Sequence, residues 1–143
     1  MKELETLSKA CFGINYKIRQ IKHVISRDAG LSTSEYEVIS YLHQVDERRA
    51  IKDVSQYLLL CSQAVTKIAK RLLQLEYIAM EKSTEDRRVT YLTLTSKGQS
   101  LAEDEASQKE AIFQEIAQYA KPADMQAVGV VFGDMVDRWG ELV

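Results

Sequence analysis

A mainly helical protein with one small β-hairpin is what this sequence predicts, and three observations carry the prediction. Apolar residues recur at helical spacing along most of the 143-residue chain. Two adjoining stretches, 50–60 and 61–78, each read as a helix, and only about three residues separate the two helices, so they must cross at a tight angle. Helical periodicity lapses once, in STEDRRVTYLTLTSKG (83–98). There a charged cluster gives way to the alternating, β-branched run Val89-Thr90-Tyr91-Leu92-Thr93-Leu94.

In chain order, Leu4, Leu7, Cys11, Ile14, Ile18, Ile21 and Ile25 fall at alternating intervals of three and four. This 3.5-residue repeat makes the narrow stripe of a helix–helix seam. It suits a helix packed on its own core and equally a subunit interface. Gly30, Ser32 and Ser34 punctuate its end. A second helix is expected from Ser34, as N-cap, to about Val45, with Glu35 and Glu37 favouring the positive helix end. Tyr36, Ile39, Leu42 and His43 form one face, with Val38 and Tyr41 at its edges, and residues 46–49 read as a polar turn.

The stretch 50–60 turns Val54, Leu58 and Ile51 inward, and 61–78 does the same with Ala64, Val65, Ile68, Leu72 and Leu75. The outer face of the second helix carries Ser62, Gln63, Thr66, Lys67, Lys70, Arg71 and Gln74. A basic helix face is most often merely solvated. In a helix–turn–helix, however, such a face lies in the major groove, where Gln and Lys reach base edges. Residues 78–82 pair naturally with 89–94, completing a winged helix-turn-helix. The loop between them projects Arg87 and Arg88, and an arginine there can enter the minor groove. Val89, Tyr91 or Leu92 would anchor the strand pair to the core.

Thr95 or Ser96 can cap a further helix running over 101–119, with Glu103, Asp104 and Glu105 solvated, until Pro122 breaks it. The last helix carries Met125, Val128, Phe132, Met135, Trp139 and Leu142 at intervals of three and four. Stripes at both ends suggest a homodimer that interlocks terminal helices, with Leu7, Ile14, Ile18, Ile21, Val128, Phe132, Met135 and Trp139 at its interface. The expected organisation is therefore an N-terminal dimerisation helix over 1–33, a winged DNA-binding domain over 34–98, and C-terminal dimerisation helices over 99–143.

Charge supports this division. The chain carries net −2 overall, but residues 61–100 hold seven Lys/Arg against four Asp/Glu, while 101–143 hold three against nine. Phosphates feel the local surplus, because more distant charge is screened. The acidic N-terminus lacks the apolar core of a signal peptide, and the purest apolar run, 127–132, is too short to cross a membrane, so the cytoplasm is expected. Two cysteines give no disulfide framework. No Ser-His-Asp order, paired-carboxylate context or glycine-rich phosphate loop suggests an enzyme. His23 and His43 show no clustered spacing for a metal, and no cofactor is expected.

The chain resembles the MarR family of bacterial transcriptional regulators, most densely over 52–98. SQAVTKIAKRL (62–72) is similar to the family's recognition helix. The wing resembles its Asp-x-Arg followed by Leu-Thr-x-x-Gly, here Asp86, Arg88, Leu94, Thr95 and Gly98. The resemblance implies a dimeric regulator, expected to be a repressor, that binds a pseudo-palindromic operator in double-stranded DNA. It implies control by a small ligand, a metal or thiol oxidation, and a wing aspartate, Asp86, that braces Arg88. The chain departs from the family at Leu75-Glu76-Tyr77, where a glycine usually ends the recognition helix, and at Leu59, where a turn glycine is common. Glu is disfavoured in the left-handed conformation required there.

Two thiols are sensor candidates. Cys61 is expected at or beside the N-cap of the recognition helix, where the positive helix end can activate it. The structural alternative is a small buried side chain facing the first helix of the motif. Cys11, followed by Phe12, resembles the peroxide-sensing branch of the family, with Tyr36 as one thiolate-holding tyrosine and Ile25 where the other would stand. Its alternative is a core cysteine in the subunit interface. Beside DNA binding stands one further reading, a winged-helix protein-interaction module; the basic surplus at 61–100 and the wing arginines favour DNA.

Overall fold

The structure is a computed structural model that describes the backbone of residues 1–142 and the side chains of residues 1–138. In chain order the elements are α1 (Lys2–Asp28), α2 (Thr33–Val45), β1 (Arg49–Ala50), α3 (Ile51–Leu58), α4 (Ser62–Gln74), β2 (Ile78–Lys82), β3 (Thr90–Leu94), α5 (Ser96–Tyr119) and α6 (Pro122–Leu142). They divide into two compact units, Met1–Ser107 and Gln108–Val143.

In the first unit, α1 ends because Gly30 takes a left-handed φ of 71°. The Gly30 and Leu31 N–H groups then bond back to the Arg27 and Ser26 carbonyls at 3.0 and 2.8 Å, satisfying acceptors that the helix end would otherwise orphan. The N-cap of α2 is Ser32, not the expected Ser34. Ser32 Oγ accepts the Glu35 N–H at 3.1 Å, and Glu35 Oε2 accepts the Ser32 N–H at 3.0 Å. Ser34 has the same spacing to Glu37, but the Glu37 carboxylate is held by Lys22 Nζ at 3.1 Å, whereas Ser32 and Glu35 complete the reciprocal box. Val38 is fully buried rather than at an edge, because α2 touches α1, α3, α4 and β3 and so is covered on more than one side.

The expected hairpin is part of a three-stranded antiparallel sheet in the order β1-β3-β2. Arg49, read as the end of a polar turn, and Ala50, read as the start of a helix, instead form a short strand that pairs Arg49 with Leu92 and Ala50 with Tyr91. The hairpin register pairs Ile78 with Leu94, Met80 with Leu92 and Lys82 with Thr90. Leu92 is the anchor of the pair and is fully buried, whereas Tyr91 and Val89 are half-buried. Tyr36, Ile39, Val54, Val65, Leu72, Ile78 and Leu92 form the centre of the core, each worth roughly 1.5–3 kcal/mol if an aliphatic is fully buried.

The acidic run at 103–105 is not uniformly solvated. Glu103 and Asp104 are exposed, but Glu105 is 3 % exposed, and its Oε1 accepts the Tyr36 hydroxyl and Ser40 Oγ, each at 2.9 Å. It stands three residues after buried Ala102, on the inward face of α5. Burial, then the Glu105 charge and hydrogen bond, push the Tyr36 phenol far above its usual range.

In the second unit, Pro122 opens α6 at a position where a missing N–H costs nothing. Val128, Val130, Val131, Phe132, Met135 and Val136 are exposed on α6. The side chain of Trp139 lies outside the described residues. Among the described residues, no helix is long and apolar enough to cross a membrane.

Candidate nucleic-acid interface

The helix–turn–helix is α3, a three-residue turn and α4. Asp53 Oδ2 accepts the Ala50 N–H at the start of α3, half of a capping box that Ala50 has no oxygen to complete. The turn closes through Leu59 at φ 55°, with Ser55 Oγ donating to the Leu60 carbonyl at 2.9 Å. α4 begins after Cys61 as N-cap, with no side chain capping its free N–H groups. Val65, Ala69 and Leu72 are buried on its inner face. Ser62, Gln63, Lys67 and Lys70 stand exposed on the other, and with half-buried Thr66 they border an open hollow of about 380 Å³. Thr66 Oγ1 donates to the Ser62 carbonyl at 2.8 Å, so its free valence outward is a lone pair.

Arg71 differs from these. Its Nε lies 2.9 Å from Glu35 Oε1, and its Nη2 donates to the Gly30 carbonyl at 3.1 Å. The guanidinium expected to face DNA is engaged with the turn between α1 and α2.

The wing loop is organised by short side chains. Ser83 Oγ accepts the N–H groups of Glu85 and Asp86, both at 3.2 Å, while the Ser83 N–H bonds the Val89 carbonyl and the Val89 N–H bonds the Asp86 carbonyl, both at 2.9 Å. Asp86 then holds Arg88 three ways. Oδ1 accepts the Arg88 backbone N–H at 3.0 Å and Nε at 3.1 Å, and Oδ2 accepts Nη2 at 3.2 Å. These side-chain and backbone hydrogen bonds hold the Asp86 carboxyl below the usual aspartate range. The Arg88 side chain is 91 % exposed, so the fork fixes a cation that reaches into solvent. Arg87 is exposed beside it.

The connection from α4 to the wing explains the Leu-Thr-x-x-Gly stretch. Glu76 takes the left-handed φ of 64° that the missing glycine would have supplied. Three successive carbonyls of this turn are then met from the start of α5. Lys97 Nζ donates to Leu75 at 2.7 Å, Thr95 Oγ1 to Glu76 at 2.6 Å, and the Thr95 N–H to Tyr77 at 3.1 Å. Thr95 Oγ1 also accepts the Gly98 N–H at 3.2 Å, capping α5. A Cβ at Gly98 would run into the Tyr77 carbonyl oxygen. The capping role of Thr95 was expected from sequence; its bonds to the 76–77 carbonyls, Lys97, and the hold of Glu35 on Arg71 were not. The Ser-x-x-Glu spacing could have drawn attention to Glu35; the Lys97 contact spans twenty-two residues and leaves no local pattern.

Both cysteines are exposed, so the expectation of a small buried Cys61 is not met. Tyr36 is fully buried and donates a hydrogen bond from its hydroxyl to Glu105. On α1, Leu4 and Leu7 are exposed, Ile14, Ile18 and Ile21 are half-buried, and Ile25 joins the core. Among the described residues, no group of three His, Cys, Asp or Glu side chains converges to hold a metal.

Residues 20–104 match the family model described as transcriptional regulator SarA/Rot. The chain is similar to the HTH-type transcriptional regulator MhqR of Bacillus subtilis, 31 % identical over 98 residues, which cover 68 % of this chain and 64 % of MhqR. Thus the match spans a little under two thirds of that relative. A MepR variant from a multidrug-resistant S. aureus clinical isolate has a similar structure, with TM-score 0.79 and 14 % identity over 93 % of this chain and 96 % of that one. Streptococcus pneumoniae FabT, solved in complex with DNA, superposes with TM-score 0.74 and 20 % identity over 99 % of both chains.

Proposed function

The chain belongs to the SarA/Rot transcriptional regulators, a MarR-type winged-helix family, and from that membership we propose that it acts as a homodimer binding a pseudo-palindromic operator in double-stranded DNA. α4 enters the major groove, where Gln63, Thr66 and Lys67 meet base edges and Ser62 and Lys70 meet phosphates. The wing enters the adjacent minor groove through Arg88, with Arg87 on the backbone. Residues 34–98 serve as the DNA-binding domain, and 1–33 and 99–143 as dimerisation segments. The protein works in the cytoplasm by binding rather than catalysis, as a repressor released by a small-molecule effector.

The observation that carries this reading is the three-bond hold of Asp86 on Arg88. A solvated loop has no need to fix a fully exposed guanidinium, since ordering a long cation costs side-chain entropy for little gain in water. A minor-groove probe does need it. The reading is tested by a gel shift with the region upstream of the chain's own gene, titrated between about 50 and 200 mM salt. Retarded complexes that outlast competition by unrelated duplex and weaken steeply with salt are expected. A complex removed equally by any duplex, or none at the lowest salt, would leave the winged domain as a protein-interaction module.

A further inference from the structure

Arg71 lies on the recognition helix, yet its guanidinium points to a different task from that of Lys67 and Lys70. Nε and Nη2 engage two fixed acceptors, Glu35 Oε1 at 2.9 Å and the Gly30 carbonyl at 3.1 Å. Neither acceptor is a loose surface group. The Glu35 side chain is 13 % exposed, and its other oxygen already takes the Ser32 N–H at 3.0 Å. Gly30 is the left-handed residue that ends α1. One carboxylate therefore caps α2 and grips α4, while the same guanidinium also holds the end of α1.

We infer that Arg71 and Glu35 are positioning residues that set the rotation of the recognition helix about its own axis, and that Arg71 is not a phosphate contact. The inference rests on the DNA-binding reading above. A planar guanidinium with two acceptors resists rotation in a way that apolar packing of Val65, Ala69 and Leu72 alone does not. A helix with side chains has a radius of about 5–6 Å, so a turn of about 10° moves the tip of Gln63 or Lys67 by about 1 Å. A displacement of that size breaks a bidentate base contact and barely alters attraction to phosphate. Through Gly30 the same link ties the recognition helix to the end of the proposed dimerisation helix.

The test measures anisotropy titrations at several salt concentrations. They use a duplex that the wild-type chain selects from a random pool and a scrambled duplex of the same composition. For Arg71→Gln the ratio of the two affinities is expected to fall about tenfold with the salt slope unchanged. Glu35→Gln keeps an oxygen for the α2 cap but loses the charge that holds Arg71, and is expected to lower the ratio likewise. Simple charge removal would instead tighten binding to both duplexes. Rescue supplies the readout that mere loss of structure cannot give: Glu35→Asp, with a shorter reach, should lie between Glu35→Gln and the wild type at equal thermal stability. A salt slope lowered by about 1 in Arg71→Gln, with both duplexes weakened alike and discrimination intact in Glu35→Gln, would make Arg71 a phosphate contact and overturn the inference. If the wild type selects no duplex at all, the DNA-binding reading itself falls.

Discussion

Asp86 is an acid placed where a polyanion is expected to dock, and its value depends on what it does to Arg88. If only charge mattered, removing it would strengthen binding. Because it orders the Arg88 guanidinium through three hydrogen bonds, Asp86→Ala should instead weaken operator binding and reproduce part of the Arg88→Ala loss. Equilibrium titration reads the sign directly, and tighter binding would remove the brace. Tyr36 gives a second prediction at this scale. Its phenol is raised in the fold above its ordinary 10.0, so the stability it contributes is present below that pH and is lost as pH rises beyond it. Tyr36→Phe should destabilise the chain at pH 7 by roughly 1–3 kcal/mol, since Glu105 loses a buried donor. Denaturant melts should show that deficit shrinking above about pH 10, where the wild type alone loses this contribution; a constant deficit would contradict the role. The brace was expected only through the resemblance, which implied it for the Asp-x-Arg of the wing, and the hydrogen bonds of Asp86 to Arg88 now give it a geometry. The Glu105 cluster was not expected: its partners lie 69 and 65 residues away, and an acid inside an acidic run looks solvated until Tyr36 and Ser40 are brought beside it.

The recognition helix and wing are held as elements by the turn at 75–77. Glu76 in a left-handed conformation costs about 1–2 kcal/mol relative to glycine, and the donors from Thr95 and Lys97 keep the turn in place despite it. Gly98 is needed for its lack of a side chain, not for an unusual φ. Gly98→Ala should therefore force the Tyr77 carbonyl away, lower stability by roughly 1–3 kcal/mol in a thermal melt, and weaken DNA binding by shifting the wing. Unchanged stability would mean that the close approach is dispensable. Helix existence was readable from periodicity because apolar residues recur along one stripe of each helix, whether that stripe is buried as in α4 or open as in α6. The limits of elements were less readable. β1 is only two residues long, Arg49 and Ala50, too short to show a period, and it exists because β3 offers Leu92 and Tyr91 to pair with. Ser34 was as plausible an N-cap as Ser32 by residue type, and only the reciprocal bond to Glu35 decides between them.

At the scale of the whole molecule, exposed apolar side chains recur on α1 and α6. Leu4, Leu7, Phe12 and Tyr16 stand out on the first, and Val128, Val131, Phe132 and Met135 on the second. Faces of this kind suit the proposed homodimer, in which another chain would cover them. Replacing both Phe132 and Met135 by Asp should yield monomers by sedimentation, because buried carboxylates without partners are costly, and an unchanged mass would remove these residues from the interface. Both terminal stripes were visible in sequence as heptads, but the α1 stripe is shared: Ile25 enters the chain's own core while Leu4 and Leu7 remain open. Periodicity cannot distinguish a stripe that faces its own core from one that faces a partner. The central claim is that two winged domains read one operator, each through α4 in the major groove and Arg88 in the minor groove. Its most direct measurement is a footprint of both grooves on the selected duplex, for the wild type and Arg88→Ala. Two protected major-groove tracts are expected, a whole number of helical turns apart, each turn about 34 Å. Each tract should be flanked by minor-groove protection that disappears in Arg88→Ala while the major-groove tracts remain. A single tract, or minor-groove protection that survives the loss of Arg88, would contradict the central claim.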